Sequence, residues 1–550
     1  MKIVIIGGVA GGATAAARLR RLDENAEIIV IERSGFVSYA NCGLPYFIGG
    51  EITERESLTL QTPESFLARF RIDIRINEEA ISIDTKEKII SIRKVLTNEE
   101  YKESYDKLIL APGAAAIKPD VSGVDLDGVF TLRTVENTFE IDKFIDDKKI
   151  KTAVIVGGGF VGLEMAENLT NKGINVTLLQ RSRYVMSMLD GDMAAILQNY
   201  IRTKGISLQT NAQLSAIEKK EDKLVVKVSG KEFITDMVVL AVGVVPESTL
   251  AKKAGLELGV KGAIKVDTHM QTSNVDIYAV GDVVETKHFV TGKPMIIPLA
   301  GPANKQGRIA ADNICGIQSE YKGSQGSVIM KMFDMTVAST GINKKQADEE
   351  GMESDCVLLS SASHATYYPN AKNMFIKVLF EKKSGIILGA QIVGFAGVDK
   401  RIDVLATAIR ARMSASDLEE LDLAYAPPYS SAKDPVNMAG YVISNILTDR
   451  VNQIHWDDVD RLNENDFILD TRTTYEYDNG HIENAINIPV DNLRERVDEL
   501  PIDKRIYVYC HSGLRSYIAC RILMQKGYDV VNISGGYGIY SQIQKNRQVE

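Results

Sequence analysis

The stretch KIVIIGGVAGGATAAARLRRL, residues 2–22, decides the fold, because its pattern returns as AVIVGGGFVGLEMAENLTNKG at residues 153–173. In each copy a β-branched apolar run leads into glycines and then into a run that is typical of a helix. A second apolar run follows each copy, EIIVIER at residues 27–33 and NVTLLQR at residues 175–181. This order predicts two strand–turn–helix–strand units in which backbone N–H groups at the helix start receive a pyrophosphate.

The two glycine turns differ in detail. The second copy has the strict GxGxxG spacing, with Gly157, Gly159 and Gly162. The first copy departs from it, because Val9 takes the middle place while its glycines are Gly7, Gly8, Gly11 and Gly12. A lone GxGxxG is a weak signal, but two copies in the same context indicate two dinucleotide-binding domains.

The residue that closes each second strand indicates which nucleotide is held. Glu32 can accept hydrogen bonds from a ribose diol, as expected for the adenosine half of FAD or NAD. Gln180 takes the equivalent place in the second unit and is followed by Arg181, Ser182 and Arg183. A neutral amide beside two cations does not repel a 2'-phosphate, although an ordinary solvated turn has the same composition. NADPH and NADH therefore both remain open.

Composition limits the class of protein. A chain of 550 residues predicts three or four domains. The net charge of −9 argues against a general affinity for nucleic acid or anionic membranes, and no apolar run approaches the length of a membrane span. Five scattered cysteines without a CxxC are typical of the reducing cytoplasm, which is the predicted location. No metal site is expected.

Two further segments resemble a known family. YDKLILAPGA (residues 105–114) ends in a Pro-Gly turn, and TSNVDIYAVGDVVE (272–285) contains Gly281-Asp282. With the two glycine turns, they stand in the order found in the FAD- and NAD(P)H-dependent pyridine nucleotide-disulfide reductases. That resemblance implies an α/β protein with two Rossmann-like domains, an α+β dimerisation domain and a homodimer. It assigns residues 1–115 and 246–324 to the FAD domain, 116–245 to the NAD(P)H domain and 325–445 to the dimerisation domain.

The resemblance also implies a set of cofactor contacts. The residues concerned are Gly7, Gly8, Ala10, Gly11, Gly12, Glu32, Arg33, Asn41, Pro112, Gly113, Gly157, Gly159, Gly162, Gln180, Arg181, Gly281, Asp282 and Ala300.

One cysteine, Cys42, lies in SYANCGLPYF at residues 38–47. Many members of the superfamily have a second cysteine five positions later, but that position is Phe47 here. The stretch resembles the single-cysteine branch, which contains NADH oxidases, peroxidases and coenzyme A-disulfide reductases. Oxidase and peroxidase members usually have a histidine in the first glycine turn, where this chain has Ala10. The second sulfur is therefore expected to come from the substrate.

Two later stretches favour a substrate in which coenzyme A carries the second sulfur. SHATYYPNA (residues 363–371) and AYAPPYSSAKDPVNMAGY (424–441) resemble the segments that give coenzyme A-disulfide reductases their paired tyrosines, here Tyr367 and Tyr425. The resemblance implies that these phenols act on the cysteine of the other subunit, where they can protonate a leaving thiolate. It places coenzyme A against Thr14, Arg18, Arg21, Ser38, Asn41 and Lys433. If the resemblance is set aside, the two tyrosines are interpreted as packed aromatic residues of loops, and the arginines as the solvent-exposed end of a helix.

The final part of the chain has a different pattern. After a linker at residues 446–456, alternating strands and helices predict a small α/β domain at residues 457–550. Its loop CHSGLRS runs from Cys510 and includes Arg515. Successive N–H groups in such a loop depress a thiol pKa and can stabilise a persulfide anion. The segment resembles a rhodanese sulfurtransferase domain, whereas Cys315, Cys356 and Cys520 are expected to be packing residues.

Together these features predict a reductase of sulfur–sulfur bonds. NAD(P)H would reduce FAD, reduced FAD would break the S–S bond at Cys42, and Cys510 would handle sulfane sulfur. The predicted substrates are coenzyme A disulfide, coenzyme A persulfide or polysulfide. Two alternatives remain open, namely an NADH oxidase or peroxidase that uses a cysteine sulfenic acid, and a sulfur-carrier or sensor protein without turnover.

Overall fold

The first glycine turn stands at the centre of a parallel sheet. The computed structural model describes residues 1–463 and 465–549, which form two compact units: residues 1–183 with 205–326, and residues 184–204 with 327–463 and 465–549. In the first unit five strands lie in the order Ile277–Ala279, Lys107–Leu110, Lys2–Ile6, Glu27–Glu32 and Asp73–Ile76. The helix Ala10–Leu22 follows the central strand, as the glycine pattern predicts.

The second glycine turn repeats this arrangement. Its sheet has the order Ser207–Gln209, Asn175–Leu179, Thr152–Val156, Met237–Leu240 and Val129–Thr131, and all neighbouring strands are parallel. The helix Phe160–Asn171 follows the central strand. In both sheets the central strand pairs with the strand that closes the unit, with Lys2 opposite Glu27 and Thr152 opposite Asn175.

Smaller elements complete the first unit. Two antiparallel three-stranded sheets comprise Glu78–Asp84, Ile89–Lys94 and Glu100–Ser104, and Leu214–Lys220, Lys223–Val228 and Lys231–Thr235. Two strand pairs are Ala114–Ala116 with Val244–Pro246 and Thr286–Lys287 with Pro294–Met295. The remaining α-helices are Leu44–Gly49, Pro63–Phe70, Val135–Lys148, Thr249–Lys253 and Ala300–Ile314.

The second unit begins its main part with an antiparallel sheet. The strand order is Val328–Met332, Met335–Gly341, Ile387–Gly394, Asn373–Glu381 and Ser354–Ala362. The α-helices of this part are Lys344–Glu349, Val398–Arg410, Ala415–Glu420 and Pro435–Leu447. This is the predicted α+β domain.

A small parallel sheet follows in the same unit. Its strands have the order Gln453–Ile454, Val530–Ile533, Ile506–Tyr509, Phe467–Asp470 and Ile486–Asn487. The helices are Trp456–Val459, Thr474–Asp478, Leu514–Gln525 and Gly536–Arg547. The predicted fold class, with two Rossmann-like domains, an α+β domain and a last α/β domain, is confirmed.

The helix Gly191–Thr203 has a place that the sequence did not predict. It follows the strand Asn175–Leu179 along the chain but belongs to the second unit. Gln198 Nε2 donates to Asn546 Oδ1 at 2.9 Å, in the last helix of the chain. Asp192 accepts from Lys377 Nζ at 2.8 Å.

Across residues 1–463 and 465–549, no helix combines the length and hydrophobicity that crossing a membrane requires.

Candidate active sites

A cavity of about 920 Å³ opens where the strands of the first sheet end. Ligands of open α/β sheets bind at this edge, beside the glycine turn. Many of the residues predicted to contact the cofactor line the cavity: Gly7, Ala10, Gly11, Glu32, Arg33, Asn41, Pro112, Gly113, Gly281, Asp282 and Ala300. Gly12 instead permits close packing, because a Cβ there would lie 1.9 Å from the carbonyl oxygen of Gly7.

Glu32 presents a buried carboxylate to this cavity. Only 7% of the residue is exposed, and its two oxygens accept from the N–H groups of Gly8 at 2.8 Å and Ser34 at 2.9 Å. Burial raises the pKa of Glu32, and the two N–H groups oppose that rise. Each carboxylate oxygen keeps a further lone pair for a hydroxyl donor. The site therefore fits the ribose diol of an adenine dinucleotide such as FAD.

The Gly281-Asp282 turn is held from two sides. Gly281 has φ +85°, and its N–H donates to the buried Gln306 Oε1 at 2.7 Å. Asp282 Oδ2 forms an ion pair with Arg133 at 2.6 Å, and Arg133 also donates to the carbonyl of Ala114. Sequence reasoning missed Arg133 and Gln306, because each lies far along the chain from its partner.

Cys42 lies in the short turn Asn41–Gly43 and lines the same cavity. Its side chain is exposed, but desolvation raises the pKa of the thiol, and the Glu164 carboxylate adds to that rise. Burial and Glu167 in turn raise the pKa of Glu164 to about 7. Glu164 was missed, although its place two residues after Gly162 is visible in the sequence. The cavity thus brings one thiol to the predicted flavin site.

The predicted coenzyme A residues of the first unit have mixed surroundings. Thr14 and Ser38 line the cavity with Asn41. Ser38 has φ +46°, a conformation that a serine adopts at some cost. Arg18 forms an ion pair with Asp312 at 2.7 Å, whereas Arg21 is exposed. Of these two cations, Arg21 is thus the more accessible to a phosphate.

The second glycine turn has the same hydrogen bond as the first. Gln180 Oε1 accepts from the N–H of Gly158 at 2.8 Å, as Glu32 does from Gly8. Gln180 Nε2 donates to Ser182 Oγ at 2.6 Å. Arg181 is exposed beside it. Gly162 is required for close packing of the turn, since a Cβ there would lie 1.8 Å from the carbonyl oxygen of Gly157, whereas a Cβ on Gly159 would meet open space.

In the second unit the two predicted tyrosines meet. The hydroxyls of Tyr367 and Tyr425 are 2.7 Å apart, although 58 residues separate them. Both side chains are largely exposed, and the hydrogen bond with Tyr425 raises the pKa of Tyr367. Lys433 is exposed as well. The paired phenols can therefore donate to a ligand from outside this unit.

Cys510 directly follows the strand Ile506–Tyr509 and is buried. Its Sγ accepts the N–H of Gly513 at 3.0 Å, just before the helix Leu514–Gln525. Arg515 forms a two-pronged ion pair with Glu476, at 2.5 and 2.7 Å. That pair lowers the pKa of Glu476 to about 2. The sequence predicted Cys510 and Arg515, but Glu476 lies on another helix and was missed.

The family of the chain follows from comparison with known proteins. Residues 1–307 match the family described as pyridine nucleotide-disulphide oxidoreductase, and residues 328–435 match its dimerisation domain. Residues 455–542 match the rhodanese-like domain. The chain belongs to the pyridine nucleotide-disulphide oxidoreductase family and carries a rhodanese-like domain.

Individual relatives narrow the comparison. The coenzyme A disulfide reductase of Staphylococcus haemolyticus (strain JCSC1435) is 38% identical over 441 residues, which are 80% of this chain and 98% of the relative. The structure of reduced Bacillus anthracis CoADR-RHD has 49% identity and a TM-score of 0.97, and the match covers 99% of this chain and 98% of that one. A NAD-dependent persulfide reductase from A. fulgidus has 40% identity and a TM-score of 0.93, with 98% and 100% covered. The resemblance drawn from the motifs is confirmed.

Proposed function

We propose that this chain is an FAD-containing, NAD(P)H-dependent reductase of coenzyme A disulfide and coenzyme A persulfide. The observation that carries the proposal is Cys42, a free thiol on the predicted flavin cavity with Phe47 where a partner cysteine would stand. An enzyme with one thiol needs a substrate that brings the other sulfur. The relatives named above and the rhodanese-like domain support sulfur compounds of this kind.

The reaction balances with one nicotinamide. Coenzyme A persulfide, NAD(P)H and a proton give coenzyme A, hydrogen sulfide and NAD(P)+, while the disulfide gives two thiols. The cavity beside the first glycine turn would hold FAD, which would supply hydride acceptance from the nicotinamide and two-electron reduction of sulfur. Cys42 attacks the S–S bond and holds one sulfur covalently while the other leaves as a thiolate or sulfide.

The other residues bind and transfer protons. Glu32 holds the adenosine ribose of FAD, and the Gly281-Asp282 turn holds its ribityl chain and phosphate. Coenzyme A is held by the predicted contact residues, which are Thr14, Arg18, Arg21, Ser38, Asn41 and Lys433. In a homodimer, Tyr367 and Tyr425 of one subunit donate a proton to the thiolate that leaves Cys42 of the other. The dimerisation domain supports this assembly.

The rhodanese-like domain handles sulfane sulfur. The Cys510 thiolate attacks a sulfane sulfur of polysulfide, so that one S–S bond breaks and a polysulfide shorter by one sulfur leaves, and the Gly513 N–H and Arg515 stabilise the charge of the resulting Cys510 persulfide. Gln180, Arg181 and their neighbours accept NADPH as well as NADH. The scarcity of cysteines supports a cytoplasmic location.

The decisive experiment compares electron acceptors side by side. Purified enzyme should oxidise NAD(P)H rapidly with coenzyme A disulfide and coenzyme A persulfide, and slowly with dioxygen or hydrogen peroxide. The opposite ranking would make it an oxidase or peroxidase. Tight binding of coenzyme A persulfide without turnover would make it a sulfur carrier or sensor.

A further inference from the structure

Three chemically different metal-ligand residues meet where two domains of the second unit join. Asp355 and Cys356 stand near the start of Ser354–Ala362, the edge strand of the antiparallel sheet. His455 directly follows the first strand of the rhodanese-like domain and caps the helix Trp456–Val459. The proposed reduction uses none of these residues. The sequence predicted only packing for Cys356.

The donor atoms are spaced for one ion. His455 Nε2 lies 2.8 Å from Asp355 Oδ1 and 3.8 Å from Cys356 Sγ, and all three donors lie within 4.8 Å of one another. Zinc bonds of about 2.3 Å to sulfur and about 2.0–2.2 Å to nitrogen or oxygen put tetrahedral donors roughly 3.3–3.6 Å apart. Side-chain shifts of about half an ångström would bring this trio to that geometry.

The site is sheltered but not sealed. Cys356 is 2% exposed, whereas the side chains of Asp355 and His455 retain 18% and 24%. An ion can therefore enter from the side of the carboxylate and imidazole and keep a water as its fourth ligand. The backbone is also held, because Gln453 Nε2 donates to the Cys356 carbonyl at 2.8 Å and the Cys356 N–H donates to Asp355 Oδ1 at 2.7 Å.

The surrounding charges favour a cation. The buried Lys377 ammonium is near Cys356 and would by itself repel a metal ion. However, Lys377 forms ion pairs with Asp190 at 2.9 Å and Asp192 at 2.8 Å. With Asp355, three carboxylates thus stand near one ammonium and the His455 imidazole, which itself pairs with Asp355 at 2.8 Å, and the Cys356 thiolate adds a further negative charge once its proton has left.

We propose that Asp355, Cys356 and His455 bind one divalent transition-metal ion of the zinc class, which ties the antiparallel domain to the rhodanese-like domain. Binding displaces the thiol proton of Cys356 and the proton between His455 Nε2 and Asp355 Oδ1, because the ligands are a thiolate, a neutral imidazole and a carboxylate, and no oxidant is needed. Mixed sulfur, nitrogen and oxygen donors select zinc, cobalt and related ions over magnesium or calcium.

The test uses the full-length, tag-free, FAD-loaded chain, reduced with a phosphine and freed of metal with a chelator. Titrated Co2+ should bind at one ion per chain and give visible d–d bands at longer wavelength than the flavin bands, and Zn2+ should remove them. Cys356→Ser and His455→Gln should lose these bands, whereas Cys315→Ser should keep them. The double variant Cys42→Ser/Cys510→Ser should also keep them, which excludes the proposed catalytic thiols.

Stability gives a second readout. Zn2+ should raise the Tm of the wild-type chain and leave that of Cys356→Ser unchanged. Asp355→Asn preserves the shape of the side chain and should weaken Co2+ binding by about tenfold or more. If the folded wild type binds no Co2+, or if Cys356→Ser or Asp355→Asn binds it as tightly as the wild type does, the proposal is wrong. An unchanged wild-type Tm with Zn2+ would overturn the tie between the domains.

Discussion

Cys42 lies exposed in a short turn of the first unit, whereas Cys510 is buried at the end of a strand in the second. Desolvation and Glu164 raise the pKa of the Cys42 thiol. At Cys510, by contrast, the Gly513 N–H points at the sulfur, and Arg515 stands on the helix that follows. The Cys42 sulfur is thus accessible, whereas the Cys510 sulfur is buried and accepts a backbone N–H.

The difference teaches how the two centres divide the work. Desolvation and Glu164 raise the pKa of the Cys42 thiol, and we expect the bound cofactor and substrate to promote its ionisation. At Cys510 the N–H of Gly513 already donates to the sulfur, an arrangement that would stabilise a negative outer sulfur. We therefore expect electron transfer at the first centre and sulfur storage at the second, and the following variants test that division.

The largest expected effect comes from Cys42→Ser. Reduction of every S–S substrate should fall by at least about 1000-fold, because the nucleophile that holds the sulfur is gone. FAD content and Tm should stay unchanged, since the thiol supports neither glycine turn. Steady-state NAD(P)H oxidation measures the loss. Turnover equal to that of the wild type would remove Cys42 from the mechanism.

The converse variant is Cys510→Ser. Thiosulfate sulfurtransferase activity should be abolished, while reduction of coenzyme A disulfide stays within about twofold of the wild type, because a small disulfide reaches Cys42 directly. Cys520→Ala, in the helix after Cys510, is the matched control and should retain both activities. Equal loss of both activities in Cys510→Ser, with FAD content intact, would show that the two centres are obligatorily coupled.

Gln180→Glu changes the proposed binding site of NAD(P)H, the electron donor for the Cys42 centre. It does not change the Cys510 centre. Glu32, at the equivalent position of the first unit, shows that a carboxylate can accept the N–H of a glycine in such a turn. Repulsion between the carboxylate and the 2'-phosphate should weaken the interaction with NADPH by about 1–3 kcal/mol relative to the interaction with NADH. The ratio of kcat/KM for the two nucleotides measures the shift, with Gln213→Glu as an exposed control. An unchanged ratio would place the phosphate elsewhere, and altered sulfurtransferase activity would contradict the separation of the centres.

The smallest expected effect is that of Glu476→Gln. The amide keeps the shape but loses the charge that orients Arg515, so sulfurtransferase activity should fall about fivefold. The folded pKa of Glu476 is about 2, below its unfolded value of about 4.3. The stabilisation from this pair is thus complete above that unfolded value and is lost as pH falls toward 2. The sulfurtransferase activities of the variant and the wild type should therefore differ by a constant factor between about pH 6 and 8. If the ratio of the two activities changes with pH in that range, another group orients Arg515.

Local patterns allowed much of this protein to be predicted. Glycine turns, the carboxylate or amide at a strand end and the loop CHSGLRS each occupy a few consecutive residues. Such segments dictate their own backbone, because glycine alone tolerates the close approach at Gly12 and Gly162. Fold class and the places of Cys42, Glu32 and Cys510 therefore followed from short stretches, and the family resemblance joined them into one hypothesis.

The sequence by itself determined the two glycine turns and the two cysteines on which the proposed function depends. Only the tertiary structure decided which distant side chains meet. Arg133 meets Asp282 across 149 residues, Arg515 meets Glu476 across 39, and His455 meets Asp355 across 100. The same holds for the helix Gly191–Thr203, which joins the second unit. The physical reason is that a turn or strand depends on neighbours in the chain, whereas an ion pair or ligand cluster depends on how whole elements pack.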